Sequence, residues 1–180
     1  MPTVLIILPE GFEEVEAITP IDVLRRAGAE VTVAALGEKP AVKGKHNITI
    51  QADCLLSAIP AGRTYDLLIL PGGPGVRKLR ADLRITAIVR AQATSGKWLA
   101  AICAAPTVLN DAGVLTGKRY TAHFSTADEL KAILADERVV IDGNLITSRG
   151  AGTALDFGLT LVEKLFSSAK SAEIAKSICA

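Results

Sequence analysis

Three stretches of this chain, Thr3 to Leu8, Leu67 to Leu70 and Trp98 to Ile102, are almost unbroken apolar runs, and they restrict the fold more than any other feature. A strand with one face in water alternates apolar and polar residues. A run without a polar face reads as a strand covered on both sides, as in a parallel sheet between two helix layers. Glu30 to Leu36 reads as a fourth strand, with Val31 and Val33 on one face. Between the runs lie helical patterns, each followed by a glycine suited to a left-handed cap: Glu13 to Ala27 with Gly28, Ile85 to Ser95 with Gly96, and Ala104 to Ala112 with Gly113. This alternation predicts an α/β fold.

Length and composition are sufficient for such a fold. At 180 residues the chain is read as one domain, residues 1–180, and 49% hydrophobic against 22% charged residues supplies a substantial core. Twenty basic side chains face nineteen acidic ones, a formal charge of +1, so no global field draws in nucleic acid or an anionic membrane. No stretch approaches the roughly eighteen apolar residues of a membrane span, and the run from Val4 stops at Pro9 without a basic leader. Cys54, Cys103 and Cys179 are odd in number, far apart and outside any C-x-x-C pair, which points to neither a disulfide framework nor a zinc site. A reducing, cytoplasmic setting with no metal is the expectation.

Two hairpins modify the parallel pattern. Lys43-Gly44-Lys45-His46 reads as a turn feeding the alternating strand Asn47 to Ile50, projecting from the main sheet. Arg138 to Ile141 and Leu145 to Ser148 flank Asp142-Gly143-Asn144, which makes the sheet mixed. Thr153 to Phe166 reads as an amphipathic helix with Leu155, Leu159, Val162 and Phe166 on one face and an approximate capping box between Thr153 and Asp156.

Open parallel sheets place their functional groups just beyond the carboxyl ends of the strands. Three loops leave from there: Pro9 to Glu16, Pro71-Gly72-Gly73-Pro74-Gly75, and the turn at Cys103. Cys103 sits where a strand ends and a helix begins, and the small residues Ala101, Ala104 and Ala105 permit a tight bend, the logic of a nucleophile elbow. Helix amides near the sulfur lower a thiol's pKa. At a pKa of about 8.5 some 3% is thiolate at pH 7, and at about 5.5 nearly all of it is. A small buried hydrophobe is the ordinary reading of a cysteine, and position favours the nucleophile here. The glycines of residues 72–75 serve either as a flexible turn or as an open approach for amides, with the N–H groups of Gly73 and Ala104 as an oxyanion hole. No Lys-Ser or Lys-Thr follows them and no dinucleotide pattern follows the first strand, so no nucleotide cofactor is expected.

A solvated face is the ordinary reading of Glu10, Glu13 and Glu14. Glu16 differs, because Pro20 cannot donate the hydrogen bond that the Glu16 carbonyl would receive, which marks a kink or a late helix start. A carboxyl aimed inward beside a thiolate is driven to stay protonated and to donate to the sulfur. His123 is either a general base, a polar wall of the site or a structural histidine. His46, in a lysine-bearing turn, is read as solvent-exposed.

Taken together, Glu13-Glu14-Val15-Glu16, Asp22 to Gly28, Leu70-Pro71-Gly72-Gly73, Ala100 to Pro106 and Ser148-Arg149-Gly150-Ala151-Gly152-Thr153 resemble the ThiJ/PfpI superfamily nearly end to end, in the branch of the parkinsonism-associated protein and the YajL-like bacterial deglycases. The resemblance implies a flavodoxin-like three-layer sandwich and a homodimer. It implies Cys103 as the reactive cysteine, Glu16 as its protonated partner and His123 completing the site. Oxyanion-binding amides map to Gly73 and Ala104, and a substrate-binding arginine near the pocket maps to Arg26.

Activities that the resemblance implies are cofactor-free conversion of methylglyoxal or glyoxal to hydroxy acids, deglycation of early adducts on proteins, and redox-regulated chaperoning. Three positions depart from the pattern: Phe124 stands where relatives carry proline, Ala151 replaces another proline, and His46 occupies the place of a hairpin arginine. The leading expectation is a cysteine-dependent glyoxalase or deglycase active in carbonyl and oxidative stress defence. The alternative is a redox-sensing chaperone whose Cys103 is oxidised to sulfinate. Peptide hydrolysis ranks last, since it needs a dedicated Cys-His pair.

Overall fold

The computed structural model describes residues 1–180. The apolar runs form the centre of a seven-stranded sheet. Its strands are β1 (Thr3–Leu8), β2 (Glu30–Ala35), β5 (Cys54–Leu55), β6 (Leu67–Leu70), β7 (Trp98–Ile102), β8 (Val139–Asp142) and β9 (Leu145–Ser148), in the order β5-β2-β1-β6-β7-β9-β8. All neighbours are parallel except β8 and β9, which pair antiparallel across the turn at Gly143. The sheet is therefore mixed, as the second hairpin implied. β3 (Ala41–Lys43) and β4 (Thr49–Gln51) form a separate antiparallel ribbon.

The strands lack a polar face because each side meets helices. Val4, Ile6 and Leu8 point into one core with Ala17, Ile21 and Leu24 of α1 (Glu14–Ala27), Phe157 and Leu161 of α5 (Ala154–Leu165) and Ile174 of α6 (Ser168–Ser177). Leu5 and Ile7 point into the other, with Leu79 of α2 (Val76–Ala81), Val89 of α3 (Leu83–Thr94) and Leu109 of α4 (Pro106–Asp111). This is a three-layer α/β sandwich. Gly158 lets α5 lie directly on α1, since a Cβ there would stand 2.8 Å from Val23 Cγ2 and 3.4 Å from Pro20 Cα. No helix is long and apolar enough to cross a membrane.

Three local expectations are corrected. α1 does not start late: it begins at Glu14, with Pro20 accommodated inside it and the Glu13 carboxylate capping it by accepting from the Glu16 N–H at 3.0 Å. The Thr153–Asp156 box does not form, because Thr153 Oγ1 lies 2.7 Å from Ser148 Oγ and Asp156 is drawn to Arg138 at 2.8 Å. The buried face of α5 carries Ala154, Phe157, Gly158, Leu161 and Val162, and leaves Leu155 exposed. The short elements α2, α6 and β5 carry no sequence signal strong enough to announce them.

Candidate active site

The three loops do converge. β1, β6 and β7 are adjacent in the sheet, so their carboxyl ends deliver Pro9 to Glu13, Pro71 to Gly75 and Cys103 to one edge. The first two loops are laced together by backbone: Glu13 N–H donates to Gly72 O at 3.0 Å and Gly75 N–H to Gly11 O at 2.9 Å. Gly73 has φ +91, and a Cβ on it would stand 2.6 Å from Glu13 N, so glycine is required there for both conformation and space. The flexible-turn reading of this segment gives way to a fixed one.

Cys103 has φ +65, in the left-handed region that a residue with a Cβ rarely adopts. Its backbone is held there from both sides: its N–H donates to Ser148 O at 2.9 Å and its carbonyl accepts from His123 N–H at 2.8 Å. Local strain of this kind persists only where surrounding structure enforces it. The turn places the sulfur beside the amides of Ala104 and Gly73, which favour its charged form, and beside the carboxyl of Glu16. The expected oxyanion amides and acid partner thus share one point.

Glu16 is 1% exposed. Its Oε2 accepts the Gly72 N–H at 3.0 Å. A Cβ on Gly72 would collide with that oxygen and stand 2.6 Å from Cys103 Cβ, so Gly72 is the space in which acid and thiol meet. Burial, joined by the charge of Glu13, raises the Glu16 carboxyl to about 7, against the pull of Cys103, the Gly72 amide and Lys45. Sequence reasoning missed Gly72, whose target lies 56 residues away.

The sulfur corrects an expectation. Burial first, then the neighbouring Glu16 carboxylate, pushes Cys103 up to about 12, and the Ala104 and Gly73 amides only partly offset this. Amides at a helix terminus alone would lower the thiol, but burial, which penalises any isolated charge, outweighs them here. A second negative charge beside an ionised Glu16 is strongly resisted, so the two groups titrate as one unit that holds a single charge above about pH 7.

Cys103, Glu16, Gly73, Ala104 and His123 all line one cleft of about 530 Å³, together with Glu13, Lys45, His46, Thr107 and Ala151. His123 Nδ1 accepts the Ser125 N–H at 3.2 Å, which puts the ring proton on Nε2. Burial, then Lys45 and Arg149, holds His123 below its ordinary pKa, so the ring is neutral near pH 7. A neutral ring with its proton on Nε2 offers a donor rather than a free base, which favours the polar-wall reading. Phe124 is 78% exposed and its ring lies 4.1 Å from that of His123, centroid to centroid.

Arg26 is not brought to the cleft. It sits in the last turn of α1, roughly 15 Å along the helix from Glu16, and its Nε donates to Asp22 at 2.9 Å. Glu14 is corrected too: it is 5% exposed rather than solvated, and its Oε1 accepts from His46 N–H at 2.7 Å and Ile48 N–H at 3.4 Å. His46 itself is exposed, as expected.

A family model described as the DJ-1/PfpI family matches residues 2–164. Protein dj-1beta of Drosophila melanogaster is 42% identical over 178 residues, covering 97% of this chain and 95% of the relative. The crystal structure of Drosophila melanogaster DJ-1beta is similar with a TM-score of 0.95 over 99% of this chain and 97% of that one. Glutathione-independent glyoxalase DJR-1.2 of Caenorhabditis elegans is 36% identical, covering 97% of this chain and 94% of the relative. Deglycase TK1284 of Thermococcus kodakarensis is 35% identical, covering 83% and 90%.

Proposed function

The chain belongs to the DJ-1/PfpI family, and from that premise we propose that it is a cofactor-independent, cysteine-dependent glyoxalase or protein deglycase, of the glyoxalase III type, acting on methylglyoxal, glyoxal or early glycated adducts. One observation carries the reading: Cys103, at a strained strand-to-helix corner, meets two backbone N–H groups and a buried carboxyl at its sulfur. Two relatives named as a glyoxalase and a deglycase support it.

The reactive form carries the pair's one charge on sulfur and its proton on Glu16. The thiolate adds to the aldehyde carbon of methylglyoxal, and the new alkoxide takes the Glu16 proton as it develops beside the Gly73 and Ala104 amides. The Glu16 carboxylate then removes the C1 hydrogen as a proton, and a proton returns to C2. C1 rises to the acid level as a thioester while C2 falls to an alcohol, so no external redox agent enters. Water cleaves the thioester to lactate and regenerates the thiol. Glu16 suits both directions because its pKa of about 7 lies near the working pH.

The same reading includes a cytoplasmic homodimer. Val15, Ile48 and Leu155 stay in water on one chain although they lie on or beside α1, α5 and the hairpin. Sedimentation at micromolar concentration checks this, and a monomer sinks it.

To test the chemistry, lactate formed from methylglyoxal is measured for the wild type and Cys103→Ser. The variant is expected to be at least about 100-fold slower. Equal rates defeat the mechanism. In that case a selective two-oxygen mass gain at Cys103 under graded peroxide assigns the pocket to redox sensing instead.

A further inference from the structure

We infer that a trough between α3 and the connection from β5 to β6 is a binding site for a free medium-chain fatty acid, with the carboxylate on Arg63 and the alkyl chain along the helix. The trough encloses about 770 Å³, more than the Cys103 cleft, and shares no residue with it. Leu56 and Ile59 of the connection line one side, Ala87, Ile88 and Ala91 of α3 the other, and the buried Leu5 of β1 lies at the floor.

Its place in the fold keeps it open in a dimer. Leu5, Leu56, Ile59 and Ile88 belong to the core on the side of α2, α3 and α4. The elements that carry Val15, Ile48 and Leu155, namely α1, the hairpin and α5, pack against the other core, across the sheet. A partner seated there leaves the trough free.

The lining decides the shape of the ligand. Arg84, Ala87, Ile88 and Ala91 follow the i, i+3, i+4, i+7 spacing of one helix face. Seven residues at 1.5 Å carry that stripe roughly 10 Å along α3, the reach of a medium-length alkyl chain. No aromatic ring lines the trough, so nothing there stacks a planar ligand. Aliphatic walls instead reward each methylene taken from water, by about fourfold in affinity.

The head group follows from charge. No acid lines the trough, whereas Arg63 and Arg84 both border it. Arg84 is already matched, its guanidinium donating to both oxygens of Asp82 and to Leu36 O. Arg63 has no carboxylate partner: Asp53, whose charge like that of Arg63 reaches Cys54, is held by Arg25 at 2.9 Å. The Arg63 guanidinium rests over the Tyr65 ring, 4.8 Å from its centroid, an arrangement that leaves its edge donors free for a planar carboxylate. An ester, amide or thioester of the same chain lacks that carboxylate, which assigns the site to the free acid.

To test this, decanoate below its micellar concentration is titrated into the full chain by calorimetry and followed by methyl NMR. One molecule per chain is expected, shifting the methyls of Ile59 and Ile88 and not that of Ala104 in the Cys103 cleft. Octanoate should bind about 10- to 20-fold more weakly. Arg63→Ala should weaken decanoate at least about threefold and leave 1-decanol, which has no charge to pair, unchanged. Ala91→Leu, a change that a helix tolerates and that fills the trough, should weaken both ligands at least about tenfold. No binding, several molecules per chain, shifts centred on Ala104, or decanoate affinity indifferent to either variant overturns the proposal.

Discussion

Glu14 and Glu16 stand two residues apart on one helical turn, both buried, and their carboxyls are driven in opposite directions. Burial pushes Glu14 upward, but the N–H groups of Glu14, His46 and Ile48, with the charge of His46, outweigh it and hold the group below the usual carboxylate range. Glu16 faces the other way, into the Cys103 corner. There one backbone N–H and a thiol meet it, burial wins, and the carboxyl rises to about 7. The same residue type two positions along is a fixed anion on the hairpin side and a mobile proton on the sulfur side. Donor count and depth decide together: Glu16 lies deeper among other atoms, and each N–H aimed at a carboxylate offsets part of its desolvation.

The largest expected effect is on reactivity. Glu16→Gln cannot exchange a proton with the substrate, so lactate formation from methylglyoxal at pH 7 should fall about 10²- to 10³-fold. In the wild type that rate should rise along one step near pH 7, where the pair acquires its single charge, and the step should vanish in the variant. An unchanged step in Glu16→Gln breaks the contrast, for it would place the titration elsewhere.

Stability should separate the two acids by sign, measured by urea unfolding between pH 4 and 8. Glu16 binds its proton more tightly when folded, so its contribution is present below the ordinary pKa of 4.5 and is lost as pH rises through about 7. Glu16→Gln should therefore stabilise the protein at pH 8, by up to about 3 kcal/mol, and by little near pH 4. Glu14 is the reverse: its contribution is present above the ordinary pKa and is lost as pH falls through the lowered folded value. Glu14→Gln should destabilise at pH 7 by about 2 kcal/mol, less at acid pH. Matching signs for the two variants would show that burial alone governs both.

Much of the fold was legible because periodicity survives in sequence. β1, β6 and β7 announced themselves as runs without a polar face, and the glycine after α1 does adopt φ +94 as its left-handed cap. Cys103 was legible from its small neighbours, and Glu16 stood out through Pro20, although of the two readings of that proline, a kink or a late helix start, the late start does not hold. Glu14 was misread because its donors lie 32 and 34 residues away in the hairpin. Arg26 was placed in the pocket by family likeness, yet ten residues of helix carry it to the far end of α1. α2 went unseen since only six residues follow the glycine loop.

The sequence by itself determined the layer order, the corner that holds a cysteine, and the identity of the acid beside it. Those follow from patterns within a few residues, or from motifs that travel together. Only the tertiary structure decided where the charges sit: that Gly72 gives Glu16 and Cys103 a shared space, that burial raises both, and that the hairpin aims the His46 and Ile48 N–H groups at Glu14. Desolvation and hydrogen bonding depend on atoms brought together from distant parts of the chain, and no local pattern records them.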